Sequence, residues 1–390
     1  MYDLLQGLRV LDLTTVVLGP FATRYLGDFG ADVIKVEPPG GEVFRHIRPA
    51  RSLGMGAGFL NFNRNKRSVC LDLKSAEDKA RFDDLVRDAD VLVHNMRTGA
   101  ARRLDIGWEA MRALNPRLVY CVSTGYGSTG PNADEPAYDD IIQAASGLAD
   151  LNRGPDGAPR FVPTILCDKI SGLHMVLAVL SGVVRQRRTG QGCHIEAPMF
   201  EGMVSFLLSE HLHGETFRPA EGSMGYDRIT SPMRKPFATQ DGYISALPYT
   251  TRNWVAFLNL VDRGDLAAAD WVRDPEARSQ RITELYAVIE AAMPTRTTAE
   301  WLVALRDIDV PATVVNMLGD LLTDPHLAEV GMFQDITHPT EGALRSVRAP
   351  FWIDDAEPLP DAPAPAVPVA GGQVDWYPRD AAASSDEGPA

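Results

Sequence analysis

Hydrophobic and polar residues alternate along the first half of the chain in a pattern that predicts strands separated by helices. Short apolar runs typical of buried strands occupy residues 8–13, 32–37, 69–73, 90–94 and 118–123. Segments with helical spacing lie between them, at residues 21–29, 75–88 and 108–114. Strands that alternate with helices favour an α/β domain with a doubly wound parallel sheet, because parallel strands need crossover connections.

The longest helical pattern, residues 163–192, carries a carboxylate at its start. Its apolar residues recur at three- and four-residue spacing and predict one broad buried face, made by Ile170, Leu173, Val176, Leu177, Leu180, Val183 and Val184. Gly172 and Gly182 are small enough to let another backbone approach closely. Asp168 in the first turn has two interpretations: a helix cap, or a nucleophilic carboxylate held at the positive pole of the helix.

The second half of the chain changes character and predicts a smaller domain. Residues 201–224 become rich in Gly, Pro and Ser towards their end and are interpreted as a linker. A hairpin at 237–249, three helices and a strand at 310–315 predict an α+β domain over residues 225–318. Residues 319–390 are expected to return to the large domain begun by residues 1–200, with two strands in 335–352 and an extended or disordered tail from Pro358.

Composition narrows the function classes. The 390-residue chain is 45% hydrophobic, enough for a sizeable core, and lacks 18 uninterrupted apolar residues, so no membrane span is expected. Its formal net charge of −14 disfavours nucleic acid and anionic membranes as partners. No secretory signal is evident, and the four cysteines form no CxxC pair. We therefore expect no disulfide, no metal and a cytoplasmic location.

A basic segment interrupts this acidity. Residues 43–74 contain seven Lys or Arg residues and one Asp, a local balance of +6. A cationic segment on an acidic protein indicates an anionic ligand, although a solvated surface is the other interpretation.

Gly125–Gly130 matches the dinucleotide motif G-x-G-x-x-G by its letters. The motif must open a helix, whereas Pro131, Asn132 and Pro136 here predict a loop. We therefore reject a nicotinamide or flavin site.

Several blocks of sequence together resemble the class III coenzyme A transferases, the family that includes formyl-CoA and carnitine CoA transferases and the α-methylacyl-CoA racemases. The blocks are G-L-R-V-L-D-L at 7–13, G-A-D-V-I-K-V-E-P-P-G-G at 30–41, N-R-N-K-R-S-V-C-L-D-L-K at 63–74, A-D-V-L-V-H-N-M-R at 89–97, N-P-R-L-V-Y at 115–120, G-Y-G-S-T-G-P at 125–131, L-C-D-K-I-S-G at 166–172, K-P-F-A-T-Q-D-G-Y-I at 235–244 and V-P-A-T-V-V at 310–315. Their common order along the chain makes the resemblance more specific than any single motif.

The resemblance implies a Rossmann-like large domain, a smaller domain and a homodimer whose two chains interlock. It implies that Asp168 carries the acyl and CoA groups as an aspartyl anhydride and an aspartyl-CoA thioester. No cofactor would be permanently bound, because acyl-CoA is a substrate and a small carboxylic acid is the acceptor. The implied CoA-binding residues are Leu71, Asp72, Leu73, Lys74, Asn95, Met96, Arg97, Arg103, Ala137 and Tyr138.

Charge and position add further residues to the predicted CoA site. Arg64, Lys66 and Arg67 are expected near the nucleotide because guanidinium and ammonium groups suit phosphate oxygens. The turn that contains Val17 and Leu18 is the candidate source of N–H donors for tetrahedral intermediates.

Two other functions remain open at this stage. The racemases of the same family place a His-Asp pair where this chain has Tyr138 and Asp139, and a neutral Tyr is a weaker base than His at pH 7. We therefore prefer CoA transfer to racemisation at C2. A CoA-binding protein without catalysis is the second alternative.

Overall fold

Six strands form the parallel sheet that the apolar runs predict. In the computed structural model, which describes residues 1–353 and 359–379, they are β1 Arg9–Leu13, β2 Asp32–Glu37, β3 Arg67–Cys70, β4 Val91–His94, β5 Val119–Val122 and β6 Cys193–Glu196. Their order across the sheet is β3-β2-β1-β4-β5-β6, and every neighbouring pair is parallel. This is the strand order of a doubly wound Rossmann sheet, so the α/β prediction is confirmed.

The central strands are largely apolar because helices cover both faces of the sheet. Successive residues point to opposite faces, and neighbours such as Val10 and Leu11 belong to different core clusters. The helices that accompany the sheet are α1 Leu18–Asp28, α2 Ala57–Phe62, α3 Ala76–Asp88, α4 Thr98–Arg103, α5 Trp108–Leu114, α6 Asp139–Ala145, α7 Leu148–Leu151, α8 Leu166–Thr189 and α9 Met199–His211. A 3₁₀ helix, Val43–His46, precedes α2.

Helix α8 buries only part of the face that its apolar spacing predicts. Val176 is buried as predicted, together with the small residues Gly172 and Gly182. Leu173, Leu177 and Val184 are 44%, 62% and 70% exposed, so the prediction that they lie in the broad buried face is wrong for this chain alone. Among the described helices, α8 is the one whose length and composition would suit a membrane span, but it packs here against α1 and β5.

The described chain divides into two compact units, Met1–Leu207 with the return from Val330, and Leu208–Glu329. The smaller unit contains the antiparallel sheet β7 Phe237–Ala238, β8 Tyr243–Ala246 and β9 Ala312–Val314. Its helices are α10 Asp227–Thr230, α11 Thr251–Leu260, α12 Gly264–Ala267, α13 Asp270–Arg273, α14 Pro275–Gln280, α15 Ile282–Ala292, α16 Thr298–Asp307 and α17 Pro325–Glu329, with 3₁₀ turns at His213–Thr216, Met293–Thr295 and Asp320–Thr323.

The predicted domain boundaries need correction. The interpretation of residues 201–224 as a linker is wrong at its start, because α9 continues to His211 and the Gly- and Pro-rich sequence begins only beyond it. The smaller unit also includes residues 208–224 and 319–329, which the prediction placed outside it.

The C-terminal segment returns to the large unit. Strands β10 Phe333–His338 and β11 Gly342–Val347 form the antiparallel pair expected in residues 335–352. Residues 359–379 have little regular secondary structure and are bonded to this unit: Asp361 pairs with the amino group of Met1 at 3.0 Å, and the Trp376 indole donates to the Leu85 carbonyl at 3.1 Å. The predicted tail end, residues 380–390, lies outside the described residues.

Candidate active site

The predicted site residues follow the carboxyl ends of the parallel strands. Val17 and Leu18 come after β1, residues 71–74 after β3, and residues 95–97 after β4. Helix α8 runs back along the sheet, so its first turn, with Asp168, lies at the same edge. The strand order reverses between β1 and β4, and ligands of open α/β sheets bind in the crevice at such a reversal.

The first turn of α8 holds Asp168 half-buried against a second acid. The backbone N–H of Asp168 donates to Oδ1 of Asp139 over 3.0 Å. Burial, and next the charge of Asp139, raise the pKa of Asp168 to about 7. Within the described part of the chain, the Asp168 carboxyl has no hydrogen-bond partner. This environment is unlike that of a helix-capping carboxylate, which accepts amide N–H groups, because those bonds lower a pKa.

The turn before α1 lies against the helix that carries Asp168. A Cβ added at Gly172 would stand 2.7 Å from the Leu18 carbonyl oxygen, so the absence of a side chain there permits the close approach. Val17 caps α1 and Leu18 begins it. A helix supplies no partner for the N–H groups of its first turn. The start of α1, which carries the predicted N–H donors, therefore packs on α8 at Gly172, four residues after Asp168.

The loop after β3 has one exposed cation. The predicted strand 69–73 ends in fact at Cys70, which leaves residues 71–74 as a loop at the carboxyl edge. Leu71 is buried, Asp72 and Leu73 are half-buried, and Lys74 is exposed. The Asp72 carboxylate accepts from the Lys74 N–H at 3.1 Å, which holds the loop turned.

The loop after β4 is tied to the loop after β1. Asn95 accepts from the Thr15 N–H at 3.0 Å and donates to the Thr15 carbonyl at 2.9 Å. Met96 is half-buried, and its N–H donates to Nδ1 of His94. Arg97 and Arg103 are both exposed, as a phosphate-binding role requires.

Ala137 and Tyr138 lead into helix α6. Ala137 packs on Gly125, where an added Cβ would lie 2.4 Å from the Ala137 Cβ, so the glycine loop is folded against this segment. The loop continues through turns and no helix begins before Asp139, which agrees with the rejection of a dinucleotide motif. Tyr138 is 72% exposed and directly precedes Asp139.

Arg64 and Lys66 correct the prediction from charge. Both are buried: Arg64 pairs with Asp28 at 2.6 Å and with Asp361 at 3.2 Å, and Lys66 pairs with Asp12 at 3.1 Å. Burial lowers the pKa of Lys66 to about 7. Their cationic groups hold parts of this chain together and are not presented to a ligand, so the prediction that they contact the nucleotide is wrong for this structure.

Arg67 is likewise engaged within the chain. Its guanidinium binds both oxygens of Asp32, at 2.6 and 2.8 Å, and lies 3.8 Å from the ring centre of Tyr377. It fixes the C-terminal segment, and the charge pattern alone cannot separate such a role from phosphate binding.

Asp139 and Gln143 are site residues that the predicted set lacks. Both are buried on α6. The Gln143 amide donates to Oδ2 of Asp139 at 2.6 Å and accepts from the Val162 N–H at 2.8 Å, which links α6 to the chain before α8. The sequence does show an Asp and a Gln four residues apart at the start of a helix. It does not show that Asp139 contacts Asp168, because that contact depends on the fold.

Two cavities of the described chain do not border Asp168. One of about 410 Å³ is lined by Arg9, Arg81 and Trp376 and also by Leu71 of the predicted CoA site. The other, of about 320 Å³, is lined by residues such as Asp90 and Arg187. Chemistry, rather than cavity size, identifies the site.

Known proteins match this chain over nearly its whole length. The profile of the family described as CoA-transferase family III matches residues 5–370. Succinyl-CoA:mesaconate CoA-transferase of Haloarcula marismortui is 32% identical, with 93% of each chain covered. Succinyl-CoA:glutarate CoA-transferase of Mus musculus is 30% identical over 91% of this chain and 83% of its own length. Acetyl-CoA:oxalate CoA-transferase of Acetobacter aceti is 35% identical, with 78% and 79% covered.

Solved structures give the same result. The structure of Rv3272 from Mycobacterium tuberculosis superposes with a TM-score of 0.81 at 30% identity, covering 95% of this chain and 98% of that one. A CAIB/BAIF family protein from Brucella suis gives 0.79 at 30% identity, covering 94% and 97%. The chain belongs to CoA-transferase family III.

Proposed function

We propose that this CoA transferase moves CoA from an acyl-CoA thioester to a free carboxylic acid through covalent intermediates on Asp168. The observation that carries the proposal is the half-buried Asp168 carboxyl, placed at the first turn of α8 beside the first turn of α1. A carboxylate suits the task, because an acyl anhydride and a thioester both retain the activation of the acyl group.

In the first half of the reaction, an ionised Asp168 oxygen attacks the thioester carbonyl. The resulting tetrahedral oxyanion takes N–H donors from the turn at Val17 and Leu18. The C–S bond breaks with its electron pair on sulfur, which leaves an anhydride and CoA thiolate. The thiolate then attacks the Asp168 carbonyl of the anhydride, and the first acid leaves as a carboxylate.

The second half repeats these steps in reverse order. The acceptor carboxylate attacks the aspartyl-CoA thioester and expels CoA thiolate, which forms an anhydride between Asp168 and the acceptor. The thiolate then attacks the acceptor carbonyl, which releases the new acyl-CoA and restores the Asp168 carboxylate. Atoms and electrons balance without ATP, a metal or a redox partner.

The loops after β3 and β4 are the proposed CoA site. Lys74, Arg97 and Arg103 are exposed cations on these loops and on α4. Their charges suit the phosphates of CoA. The backbone of residues 71–73, Asn95, Met96, Ala137 and Tyr138 would shape the rest of the binding surface.

We also propose a homodimer with interlocked chains. The exposed apolar residues Leu173, Leu177 and Val184 on α8 suit burial by a second copy of this chain. Two preparations with different affinity tags would be mixed and one tag captured. Interlocked chains should exchange only after unfolding and refolding, whereas exchange in native buffer would contradict the threading.

The four free cysteines support a reducing compartment such as the cytoplasm.

Covalent trapping tests the proposed reaction. Protein incubated with acyl-CoA and hydroxylamine should yield a hydroxamate at Asp168 by peptide mass spectrometry, and Asp168→Asn should yield none. Binding of CoA without trapping or turnover would instead support a non-catalytic binding protein.

The acids named by the three relatives, glutarate, mesaconate and oxalate, are dicarboxylic, so a screen of acceptor acids would begin with that class.

A deuterium experiment separates transfer from racemisation. Exchange at C2 of a 2-methylacyl-CoA that needs no acceptor acid would favour the racemase alternative. His94 is not a base available for such chemistry, because Nδ1 accepts from the Met96 N–H and Nε2 bonds to the Tyr120 hydroxyl at 2.6 Å.

A further inference from the structure

Val16, next to the proposed N–H donors, has a backbone conformation that its side chain disfavours. Its φ is +70°. A branched Cβ clashes with the backbone in this left-handed region, and such residues persist only when their surroundings hold them. The residue therefore needs an external restraint, and that restraint would also set the direction of the following N–H groups.

Residues from two strands and a loop restrain the turn. Lys35 from β2 donates to the Thr14 carbonyl at 2.6 Å, and Asn95 from the loop after β4 binds both backbone groups of Thr15. Asp12 accepts from the Thr14 N–H at 2.8 Å. The restraint on Val16 itself comes from Glu42, whose Oε2 accepts the Val16 N–H at 3.1 Å.

Glu42 makes this contact from a buried position. It is 2% exposed, and the same Oε2 accepts the Phe44 N–H at 3.1 Å. Its own N–H donates to Glu37, which is paired with Arg45. The other oxygen, Oε1, has no hydrogen-bond partner in the described part of the chain. A buried carboxylate oxygen without a partner is unfavourable, so stability alone does not account for this residue.

We propose that Glu42 is a positioning residue for acyl transfer, which holds Val16 in the left-handed region so that the N–H groups of Val17 and Leu18 face the thioester carbonyl beside Asp168. The inference rests on the proposed function of Asp168 and adds a residue that touches neither substrate nor Asp168. Without the Glu42 contact, Val16 relaxes towards φ < 0 and the peptide planes that follow it rotate.

A set of three variants tests this role. Glu42→Gln retains an oxygen acceptor for the two N–H groups, and its amide nitrogen takes the place of the unpaired Oε1. Glu42→Leu removes the acceptor of both N–H groups at similar volume. Glu42→Leu combined with Val16→Gly restores the left-handed turn, because glycine adopts positive φ readily. Steady-state kcat, KM for acyl-CoA and hydroxylamine trapping at Asp168 are measured for each.

We expect Glu42→Leu to lower kcat on the order of 100-fold, the effect of losing an oxyanion donor, with KM changed less than about threefold. Glu42→Gln should restore most of kcat, and so should the Val16→Gly combination. A purely structural Glu42 would lower the fraction of folded protein and would not respond to glycine at position 16. Unchanged kcat in folded Glu42→Leu, or no rescue by Val16→Gly, would overturn the proposal.

A measurement on the unmodified protein covers the case in which Glu42→Leu does not fold. Amide hydrogen exchange at Val16 should be slow in the wild-type chain, and exchange at the rate of a free peptide would overturn the inference. If wild-type protein shows neither transfer nor trapping, the proposed function itself fails and Glu42 has no such role. Trapping in wild type with no response to Glu42 overturns only the positioning role.

Discussion

The N–H of Asp168 donates to the side chain of Asp139, over 3.0 Å, so one acid orients the backbone of the other. The same contact brings a negative charge close to the carboxyl that must ionise. Asp139 therefore fixes the start of α8 while it opposes ionisation of Asp168, and burial acts in the same direction. The carboxyl that we propose as the nucleophile therefore ionises at higher pH than an ordinary Asp side chain.

The pH dependence of turnover should reveal this carboxyl. Asp168 must be ionised to attack, and its pKa is raised to about 7. We expect kcat/KM to fall tenfold per pH unit below about pH 7, because kcat/KM reports the free enzyme. An acid limb near pH 4 would show that Asp168 is an ordinary carboxyl.

Asp139→Asn should move that limb. The amide keeps an oxygen for the Asp168 N–H and removes the charge, so the pKa of Asp168 falls and the acid limb moves to lower pH. The movement should be partial, because burial is the larger cause. A limb that stays in place would assign the raised pKa to burial alone.

Asp168→Asn should abolish turnover and increase stability above neutral pH. The unfolded carboxyl ionises near pH 4, whereas the folded one ionises near pH 7, so the wild type loses stability as pH rises between these values. The difference in free energy of unfolding between variant and wild type should grow on the order of 1–2 kcal/mol from pH 5 to pH 8. Denaturant titrations at the two pH values measure it, and a constant difference would contradict the raised pKa.

The exposed and buried cations should respond differently to substitution. Lys74→Ala and Arg97→Ala should each raise KM for acyl-CoA about tenfold, the loss of one charge-assisted bond, with stability unchanged. Arg64→Ala should instead destabilise the fold by about 3 kcal/mol, because Asp28 and Asp361 would keep buried charges without their main partner. If Arg64→Ala raised the KM for acyl-CoA as much as Lys74→Ala and Arg97→Ala do, Arg64 would again be a candidate for the CoA-binding site.

Gly172→Ala should impair both stability and catalysis. The added methyl group would stand 2.7 Å from the Leu18 carbonyl oxygen, which is backbone and cannot turn aside. We expect a loss of about 1–3 kcal/mol, as in other overpacked sites, and a lower kcat, because α1 moves away from Asp168. Gly319→Ala is the control and should leave both unchanged, because a Cβ added at Gly319 would meet no atom within 4 Å.

The sequence allowed much of the sheet and helix order to be predicted, because strands buried on both faces read as apolar runs. Residues 32–37 and 108–114 have the predicted limits. The short strand β6, Cys193–Glu196, is missing from the predictions. Only four residues long, with His194 and Glu196 in it, it carries no apolar run.

The site was predictable to the extent that it depends on resemblance and strand ends. The start of α8, which carries Asp168, and the loops after β1, β3 and β4 lie on the same edge of the sheet, while their part in a CoA site stays a prediction. The roles of Arg64 and Lys66 were not predictable from charge, because their acidic partners lie far away in sequence or on another strand. Glu42 gave no signal either, since its function depends on a contact 26 residues back along the chain.

The loops at the carboxyl edge are rooted in separate strands, and each joins the others through a handful of bonds, such as the reciprocal pair between Thr15 and Asn95. Within the family, residues that bind CoA and residues that bind the exchanged acids can therefore change independently of each other. A relative could replace the segment after one strand, retain Asp168 and its helix, and acquire a new pair of metabolites without rebuilding the scaffold.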